Sequence, residues 1–224
     1  MRRLGLYGFS APARYKLRDC EGSRVASWSG LALLSRLPWN LVETLELPSD
    51  ERDGQRIAVF GLLEDERGKT VVANVHLTHL RDCDELRSRQ LRMVLEHPLM
   101  QIKGAIRLIC GDLNTTTDGA VLQGLLGERD FGSLQDTYLL GSGATERATL
   151  PPRPGMTKGY CVDYVLSLAD SSAEQPLFTS SSVVLDRREP RTGLLPSDHY
   201  GVATTMVPVK AGSWRRREER KLVI

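Results

Sequence analysis

Two apolar, strand-like segments of this chain each hold a carboxylate where burial makes a charge costly, and this limits what the chain can fold into. Residues 106–110 run directly into Gly-Asp-Leu-Asn, which places Asp112 and Asn114 at the end of a strand. Residues 161–166 form a second apolar run, interrupted only by Asp163. Because a buried carboxylate needs a hydrogen-bond partner or a cation, the pattern favours a sheet whose strand ends share one polar site.

Two further segments repeat this arrangement. Residues 70–77 are predicted to form a strand with Asn74 and His76 on one face, because residues two apart on a strand project to the same side. Asp198 and His199 come directly before another strand-like run. Each of these residues alone is explained by a capped turn or by a satisfied polar group in the core. Together they favour one site, in which a carboxylate activates water to hydrolyse a phosphate ester.

The remaining sequence indicates one globular domain. A chain of 224 residues can bury a single core of ordinary size, and its formal net charge of +2 creates no strong field. We predict strands over 57–63 and 70–77, joined as an antiparallel hairpin, and helices over 84–96 and 119–126. The predicted architecture is therefore mixed α/β.

The order of the four polar motifs carries more information than any one of them. That order is Asn-Val-His-Leu, Gly-Asp-Leu-Asn, Asp-Tyr-Val-Leu and Ser-Asp-His-Tyr. From about Gly30 to about Val207 it resembles the endonuclease/exonuclease/phosphatase superfamily, whose members include deoxyribonuclease I. The resemblance implies an α/β fold, a two-sheet, four-layer α/β/β/α sandwich. It divides the chain into an atypical N-terminal segment over 1–29, a family-like domain over 30–208 and a charged C-terminal tail over 209–224.

The family's first strand, first helix and metal-binding Glu have no match before Gly30. Family members begin with a strand carrying an Asn, followed after a helix by a strand that ends in a Gln-Glu pair. Here the early acidic cluster is Asp19-Cys20-Glu21, which no apolar strand precedes, and Glu21 is expected in a solvated loop. The resemblance therefore implies a sandwich that is N-terminally truncated and lacks its main metal ligand.

The resemblance also assigns catalytic roles to five residues. Asp112 would position and activate the attacking water, with Asn114 helping to hold it. His199 would contact the scissile phosphate, and Asp163 would accept its ring proton and fix the tautomer. His76 would be a second histidine facing the phosphate.

The implied cofactor is a hard divalent cation, Mg²⁺ or Mn²⁺. By the resemblance Asp198, Asp112 and Asn114 would bind it, because carboxylate and amide oxygens suit these ions. The four cysteines show no paired metal-ligand spacing, so zinc is not expected.

Asn74, Arg188 and Arg191 are the candidates for substrate binding, because cations next to the Asp-His motif could hold a phosphate-bearing substrate. For the two arginines, a plain charged turn explains the sequence equally well. The loop over 141–160 also carries cations, including Arg147 and Lys158, for which a solvated surface loop is the favoured interpretation.

The implied function is a divalent-metal-dependent hydrolase of phosphoester bonds, similar to a phosphodiesterase or nuclease. The alternative is a catalytically impaired relative that acts as a binding module, because the metal-binding Glu is missing. The substrate stays open among nucleic acid, phospholipid and a small phosphate ester. We expect a monomer without a transmembrane segment, since no apolar run approaches about 18 residues. We also expect a cytoplasmic location, since the cysteines form no dense disulfide framework.

Overall fold

The computed structural model describes residues 4–126, 133–152, 154–169 and 175–207, together with the backbone of Arg220–Val223. Within these residues there are eleven strands: β1 (Tyr7–Cys20), β2 (Ser23–Ser35), β3 (Leu41–Leu47), β4 (Arg56–Asp65), β5 (Gly68–His76), β6 (Ile106–Asp112), β7 (Ser133–Asp136), β8 (Asp163–Ala169), β9 (Leu177–Val184), β10 (Gly201–Val207) and β11 (Arg220–Val223). The described helices are α1 (Asp84–Glu96), α2 (Ala120–Leu126), α3 (Thr137–Ser142) and a short 3-10 helix (Pro98–Gln101). The predicted α/β class is confirmed.

Six strands form a central sheet in the order β3-β4-β5-β6-β8-β7. Its neighbours are antiparallel except for β5 and β6, which run parallel because the crossover through α1 returns the chain to the opposite end of the sheet. β9, β10 and β11 form a separate antiparallel sheet, and β1 and β2 form a long hairpin. The predicted pairing of 57–63 with 70–77 is confirmed by β4 and β5.

The two faces of the central sheet are covered differently. On one face, Phe60 and Ile109 pack in a core that also contains apolar residues of α1 and α2. On the other face, Val59 packs against the β1–β2 hairpin, and Leu108 packs against β9 and β10. The molecule is therefore layered as helices, central sheet and smaller sheets, which matches the predicted sandwich of packed sheets.

The predicted helix over 84–96 is confirmed with the same bounds as α1. Asp84 and Glu85 lie in its first turn, where acidic side chains complement the helix dipole. Its apolar stripe is fully buried at Leu91 and Val94. The helix ends before Pro98, because the residue preceding a proline avoids helical backbone.

The β1–β2 hairpin is the largest element that the sequence did not predict. Its strands join through Glu21 and Gly22, both of which have positive φ, as expected for a tight hairpin turn. Glu21 is exposed in this turn, in agreement with the predicted solvated loop. The distal half of the hairpin is exposed on both faces, so it lacks the alternation of apolar and polar residues that marks a half-buried strand.

The predicted C-terminal tail over 209–224 lies outside the described residues except for the backbone of β11, which pairs with β10. The domain division itself stays a prediction, although residues 7–29 form β1 and part of β2. In the part of the chain that is described, none of the helices has the length and apolarity needed to cross a bilayer.

Candidate active site

Strand register brings three of the predicted residues into one row across the central sheet. β5 ends at His76, which lies opposite Asp112 at the end of β6. Asp112 lies in turn opposite Asp163, the first residue of β8. The three strands are adjacent in space although their polar residues are far apart in sequence. The row therefore places two carboxylates and an imidazole at one end of these three inner strands of the sheet.

His199 reaches this row from the segment that precedes β10. Its Nδ1 lies 2.9 Å from Oδ2 of Asp163, and since a carboxylate only accepts hydrogen bonds, Nδ1 carries the proton. This hydrogen bond is the main cause of a raised pKa of His199, and it outweighs the desolvation that lowers the pKa. The pair holds the ring in one tautomer and leaves Nε2 for another partner.

Asp112 lies beside this pair. Asp112, Asp163 and His199 can each supply a ligand atom, and these three atoms lie within 4.8 Å of one another. Desolvation and the neighbouring Asp163 carboxylate raise the pKa of Asp112 to about 6. The crowding of two carboxylates thus creates a local excess of negative charge, which a cation would relieve.

His76 completes the row on its other side. Its Nε2 lies 3.5 Å from Oδ2 of Asp112. Desolvation and the Arg56 guanidinium lower the pKa of His76 to about 4, although 47 % of its side chain stays exposed. The ring is therefore neutral at pH 7, unlike the ring of His199, whose pKa is raised.

Asn114 is fixed by the turn that follows β6. Its backbone N–H donates to Oδ1 of Asp112 at 2.8 Å, and its Nδ2 donates to the Leu77 carbonyl at 3.1 Å. The residue has a φ of 49°, a left-handed conformation that Asn tolerates better than most residues. With its nitrogen committed to Leu77, the side-chain oxygen is the remaining acceptor.

Four other predicted residues lie outside this cluster. Asp198 is exposed and receives a 3.3 Å hydrogen bond from the hydroxyl of Ser197. Arg188 donates to the Gly193 carbonyl at 2.7 Å within its own loop, and Arg191 is exposed.

The side chain of Asn74 forms a hydrogen bond that links two sheets. Its Nδ2 donates to the carbonyl of Ala32 at 3.0 Å, which ties β5 to β2. The roles assigned to Asp198, Asn74, Arg188 and Arg191 thus stay predictions without a contact to the cluster.

Arg147 differs from the expected solvated loop residue. Its side chain is 1 % exposed and its Nη1 lies 2.8 Å from the Asp136 carboxylate. The guanidinium also lies over the rings of Tyr138 and Tyr164, at 4.4 Å and 5.1 Å from their centroids. Its burial is explained by this ion pair and the two ring contacts, whereas Lys158 of the same loop is exposed as expected.

A pocket of about 300 Å³ opens over the cluster. Asp112, Asn114, His76 and His199 line it together with residues that the sequence analysis did not select, principally Arg14, Lys16, Arg56 and His79. The missed residues belong to β1, to the start of β4 and to the loop after β5, so only the fold brings them together. The alternation of cations along 14–18 was the one sequence signal that could have indicated them.

The basic wall of the pocket consists of Arg14, Lys16, Arg56 and His79. Asp53 is the centre of its ion pairs. It is fully buried, and it contacts the Arg56 guanidinium and the His79 ring. Arg14 approaches it at 3.9 Å. Burial alone would raise the pKa of Asp53, but hydrogen bonds from Arg56 and Thr78 and the charges of Arg56 and His79 lower it to about 2. This carboxylate fixes the position of the wall next to the cluster.

The sequence of the chain also matches a known protein family. The sequence profile of the Endonuclease/Exonuclease/phosphatase family matches residues 2–199. The chain belongs to this family. The match begins well before Gly30, so the family pattern extends into the hairpin that motif reading did not include. No curated protein sequence matches the chain.

Solved structures of the family share the fold. A D. rerio TDP2 complexed with single strand DNA product is 17 % identical, with a TM-score of 0.63 over 90 % of this chain and 76 % of that chain. A Bacteroides thetaiotaomicron mannosyl-6-phosphatase is 18 % identical, with a TM-score of 0.65 over 91 % and 77 %. The human Nocturnin catalytic domain with bound sulfate is 20 % identical, with a TM-score of 0.58 over 88 % and 70 %. At these identities the likeness establishes the sandwich fold of the family.

Proposed function

We propose that this family member is a divalent-metal-dependent hydrolase of phosphoester bonds. The observation that carries the proposal is the hydrogen-bonded pair of Asp163 and His199 beside Asp112, at one edge of the central sheet. A carboxylate-oriented imidazole next to a second carboxylate can both stabilise a phosphoryl group and activate water. Similar structures agree with such chemistry, since they include a phosphatase and a complex with a DNA product.

His199 is assigned the contact to the scissile phosphate. Since Nδ1–H is held by Asp163, Nε2 is the atom available to a ligand in the pocket. The raised pKa of His199 favours the imidazolium, which donates a charge-assisted hydrogen bond to a phosphoryl oxygen. Charge that develops on the phosphate during attack is stabilised at this position.

Asp112 is assigned the role of positioning and activating the attacking water. With a pKa of about 6 it is mostly ionised at pH 7, yet it is basic enough to accept a proton from water. Neutral His76 lies on one side of Asp112, and Asn114 is hydrogen-bonded to it through the backbone. These two side chains offer uncharged hydrogen-bonding groups that orient the water or a phosphoryl oxygen.

The donor set fits a hard divalent cation. Asp112 and Asn114 can supply oxygens, and the Asp163 carboxylate lies beside Asp112, where desolvation and this second carboxylate raise the pKa of Asp112. When bound, Mg²⁺ or Mn²⁺ would neutralise charge on the phosphoryl oxygens and lower the pKa of a bound water. Asp198, which the sequence analysis also assigned to the metal, is exposed beyond the cluster and stays a proposed ligand.

The finer properties expected from the sequence are part of the proposal. They are a nucleic acid, a phospholipid or a small phosphate ester as substrate, a monomeric state and a cytoplasmic location. The pocket favours an anionic substrate, because three cations, Arg14, Lys16 and Arg56, are among its lining residues. Size-exclusion chromatography with light scattering tests the oligomeric state.

The test is hydrolysis of bis(p-nitrophenyl) phosphate by the full chain with Mg²⁺, with Mn²⁺ and with EDTA. We expect p-nitrophenolate release with metal, its loss in EDTA, and a decrease of at least about 10²-fold in kcat for Asp112→Asn and His199→Ala. Asp82→Asn is the matched control, because this carboxylate is 76 % exposed and lies outside the pocket.

Two outcomes contradict the hydrolase. One is a wild-type chain that is inert with every metal; the other is activity that the cluster variants retain in full. Inertness combined with retained binding of phosphate esters would favour the binding-module alternative. Calorimetric titration of Mg²⁺ into wild type and Asp112→Asn tests the metal separately from activity.

A further inference from the structure

A row of cations follows one face of β1 toward the candidate active site. Arg14, Lys16 and Arg18 alternate along the strand, so their side chains project to the same side. Across the hairpin, Arg14 lies opposite Ser29 and Lys16 opposite Ser27. The row is therefore bordered by small hydroxyl side chains, which leave room for a ligand.

This face of the hairpin forms one wall of the pocket. Arg14, Lys16 and Ser29 line the same pocket as Asp112 and His199. A ligand held by the cluster therefore extends toward β1. Positions two apart on a strand are separated by roughly 6.6–6.8 Å, which is comparable to the distance between consecutive phosphates of an extended polynucleotide.

Lys16 differs from Arg14 and Arg56 in forming no direct ion pair among the described residues. Arg56 and Arg14 are compensated by Asp53, but within the described residues no carboxylate forms an ion pair with the Lys16 ammonium. The residue is partly exposed, and desolvation together with Arg14, Arg18 and Arg56 lowers the pKa of Lys16, an effect that the more distant Asp53 only partly opposes. A partly buried ammonium among like charges is unfavourable unless an anion joins it.

We propose that Lys16, together with Arg14, forms a subsite for a second phosphate of the substrate, adjacent to the scissile one. The proposal rests on the proposed phosphoester hydrolase and names its substrate as a molecule that carries at least two phosphates. The second phosphate comes either from the next nucleotide of a single-stranded nucleic acid or from a small bisphosphate ester. Arg18, farther along the row, is positioned for a third phosphate of a polynucleotide.

Binding without turnover tests this subsite directly. Fluorescence anisotropy with a labelled oligothymidylate, in EDTA, gives its Kd for wild type, and competition by inositol 1,4-bisphosphate gives the second Kd. We expect Lys16→Gln to weaken binding of at least one probe by about tenfold or more, because a charge-assisted hydrogen bond is lost. Lys16→Arg keeps the charge and should restore most of the binding.

Lys103→Gln is the matched control. This lysine is exposed and precedes β6, at the end of the strand opposite Asp112, so its loss should leave both Kd values unchanged. For the oligothymidylate, Lys16→Gln should also reduce the slope of log Kd against log salt concentration by about 0.7, the value for one phosphate contact of a single strand. Circular dichroism verifies that each variant is folded.

The two probes distinguish the two sources of the phosphate. Weaker binding of the oligothymidylate alone supports a polynucleotide, weaker binding of the bisphosphate alone supports a small ester, and weaker binding of both supports the shared phosphate chemistry. Equal affinity of wild type and Lys16→Gln for both probes overturns the subsite. Because these measurements need no catalysis, they are independent of the bis(p-nitrophenyl) phosphate assay, whose failure would instead refute the hydrolase.

Discussion

At the scale of single residues, the environment shifts the pKa values of chemically similar side chains in opposite directions. His76 and His199 both line the pocket, yet desolvation and Arg56 lower the pKa of His76 to about 4, whereas the hydrogen bond to Asp163 raises that of His199. Two imidazoles that differ in proton affinity thus lie near Asp112. A site that acts on an anion needs both an acceptor for water and a donor for the phosphoryl oxygens, and this difference supplies them.

The role of Asp163 can be tested through the ring that it orients. Asp163→Asn replaces a charged acceptor by a neutral amide of the same shape, so the pKa of His199 should fall toward its usual value. NMR titration of the imidazole ¹⁵N and ¹H signals measures this fall. In the activity assay we expect a decrease of about 10²- to 10⁴-fold in kcat, with little change in KM.

A purely structural role of Asp163 predicts a different result. In that case the His199 titration would be the same in Asp163→Asn as in wild type, while the melting temperature would decrease. His97→Gln serves as the assignment control for the NMR spectra, because His97 stacks on Phe60 away from the pocket.

The sequence predicted that Asp112, Asp163 and His199 meet, but not the basic residues of the same pocket. Asp112, Asp163 and His199 were grouped because each charge or imidazole adjoined an apolar strand, and the structure places them together. Lys16 adjoins no such signal, and Arg56, although it precedes the predicted strand over 57–63, has no chemical motif beside it. A cation on an exposed strand is common in any protein, and its contact with a distant pocket depends on tertiary packing that local pattern does not encode.

At the scale of elements, the end of β6 depends on a glycine. Gly111 has a φ of 122°, and a Cβ at this position would lie 2.0 Å from the Val75 carbonyl oxygen of β5. The close approach of the two parallel strands is what sets Asp112 beside His76. Elements with strong apolar runs were predicted well, whereas β3 and β7 were missed because they are short or partly exposed.

Replacing this glycine should separate the two strands. We expect Gly111→Ala to reduce the free energy of unfolding by more than about 3 kcal/mol, since the added methyl group collides with backbone. Gly104→Ala is the matched control: it also has positive φ, at 72°, but nothing lies within 4 Å of its added Cβ. Gly104→Ala should reduce the free energy of unfolding only by the cost of the left-handed backbone conformation, about 1–2 kcal/mol.

Urea denaturation of the two variants measures this difference. Equal costs for Gly111→Ala and Gly104→Ala would contradict the steric argument. A Gly111→Ala variant too unstable to purify, beside a Gly104→Ala variant that is folded, would agree with it.

At the scale of the whole molecule, Asp53 holds the hairpin, the central sheet and the loop after β5 together. It contacts Arg14 of β1, Arg56 of β4 and His79 beyond β5. Its burial was unpredictable from sequence, because Asp53 lies in a polar turn that reads as a solvated loop. The fold class followed from the apolar strands, while this carboxylate and its partners add a polar anchor to the apolar contacts that dock the hairpin on the sheet.

This carboxylate should make the stability of the molecule sensitive to acid. The pKa of Asp53 is lowered to about 2 in the folded chain, so its contribution is present above the unfolded pKa near 4 and is lost as the pH falls toward 2. We expect Asp53→Asn to lower the free energy of unfolding by about 2 kcal/mol at pH 7. The difference between the variant and wild type should disappear near pH 2.

Chemical denaturation at a series of pH values between 2 and 7 measures both curves. A difference that stays constant over this range would show that Asp53 acts through packing and not through its charge. Asp19→Asn is the control, because this side chain is 81 % exposed at the hairpin tip.

The row of His76, Asp112 and Asp163 exists only when β5, β6 and β8 have all paired in register. Contacts between segments so distant in the chain form late, because closing long loops costs entropy before any pairing repays it. A shift of one residue between two strands would turn the side chains of one to the opposite face. A partly assembled chain therefore has no catalytic constellation, and turnover, once measured, would serve as a quantitative assay for completed folding.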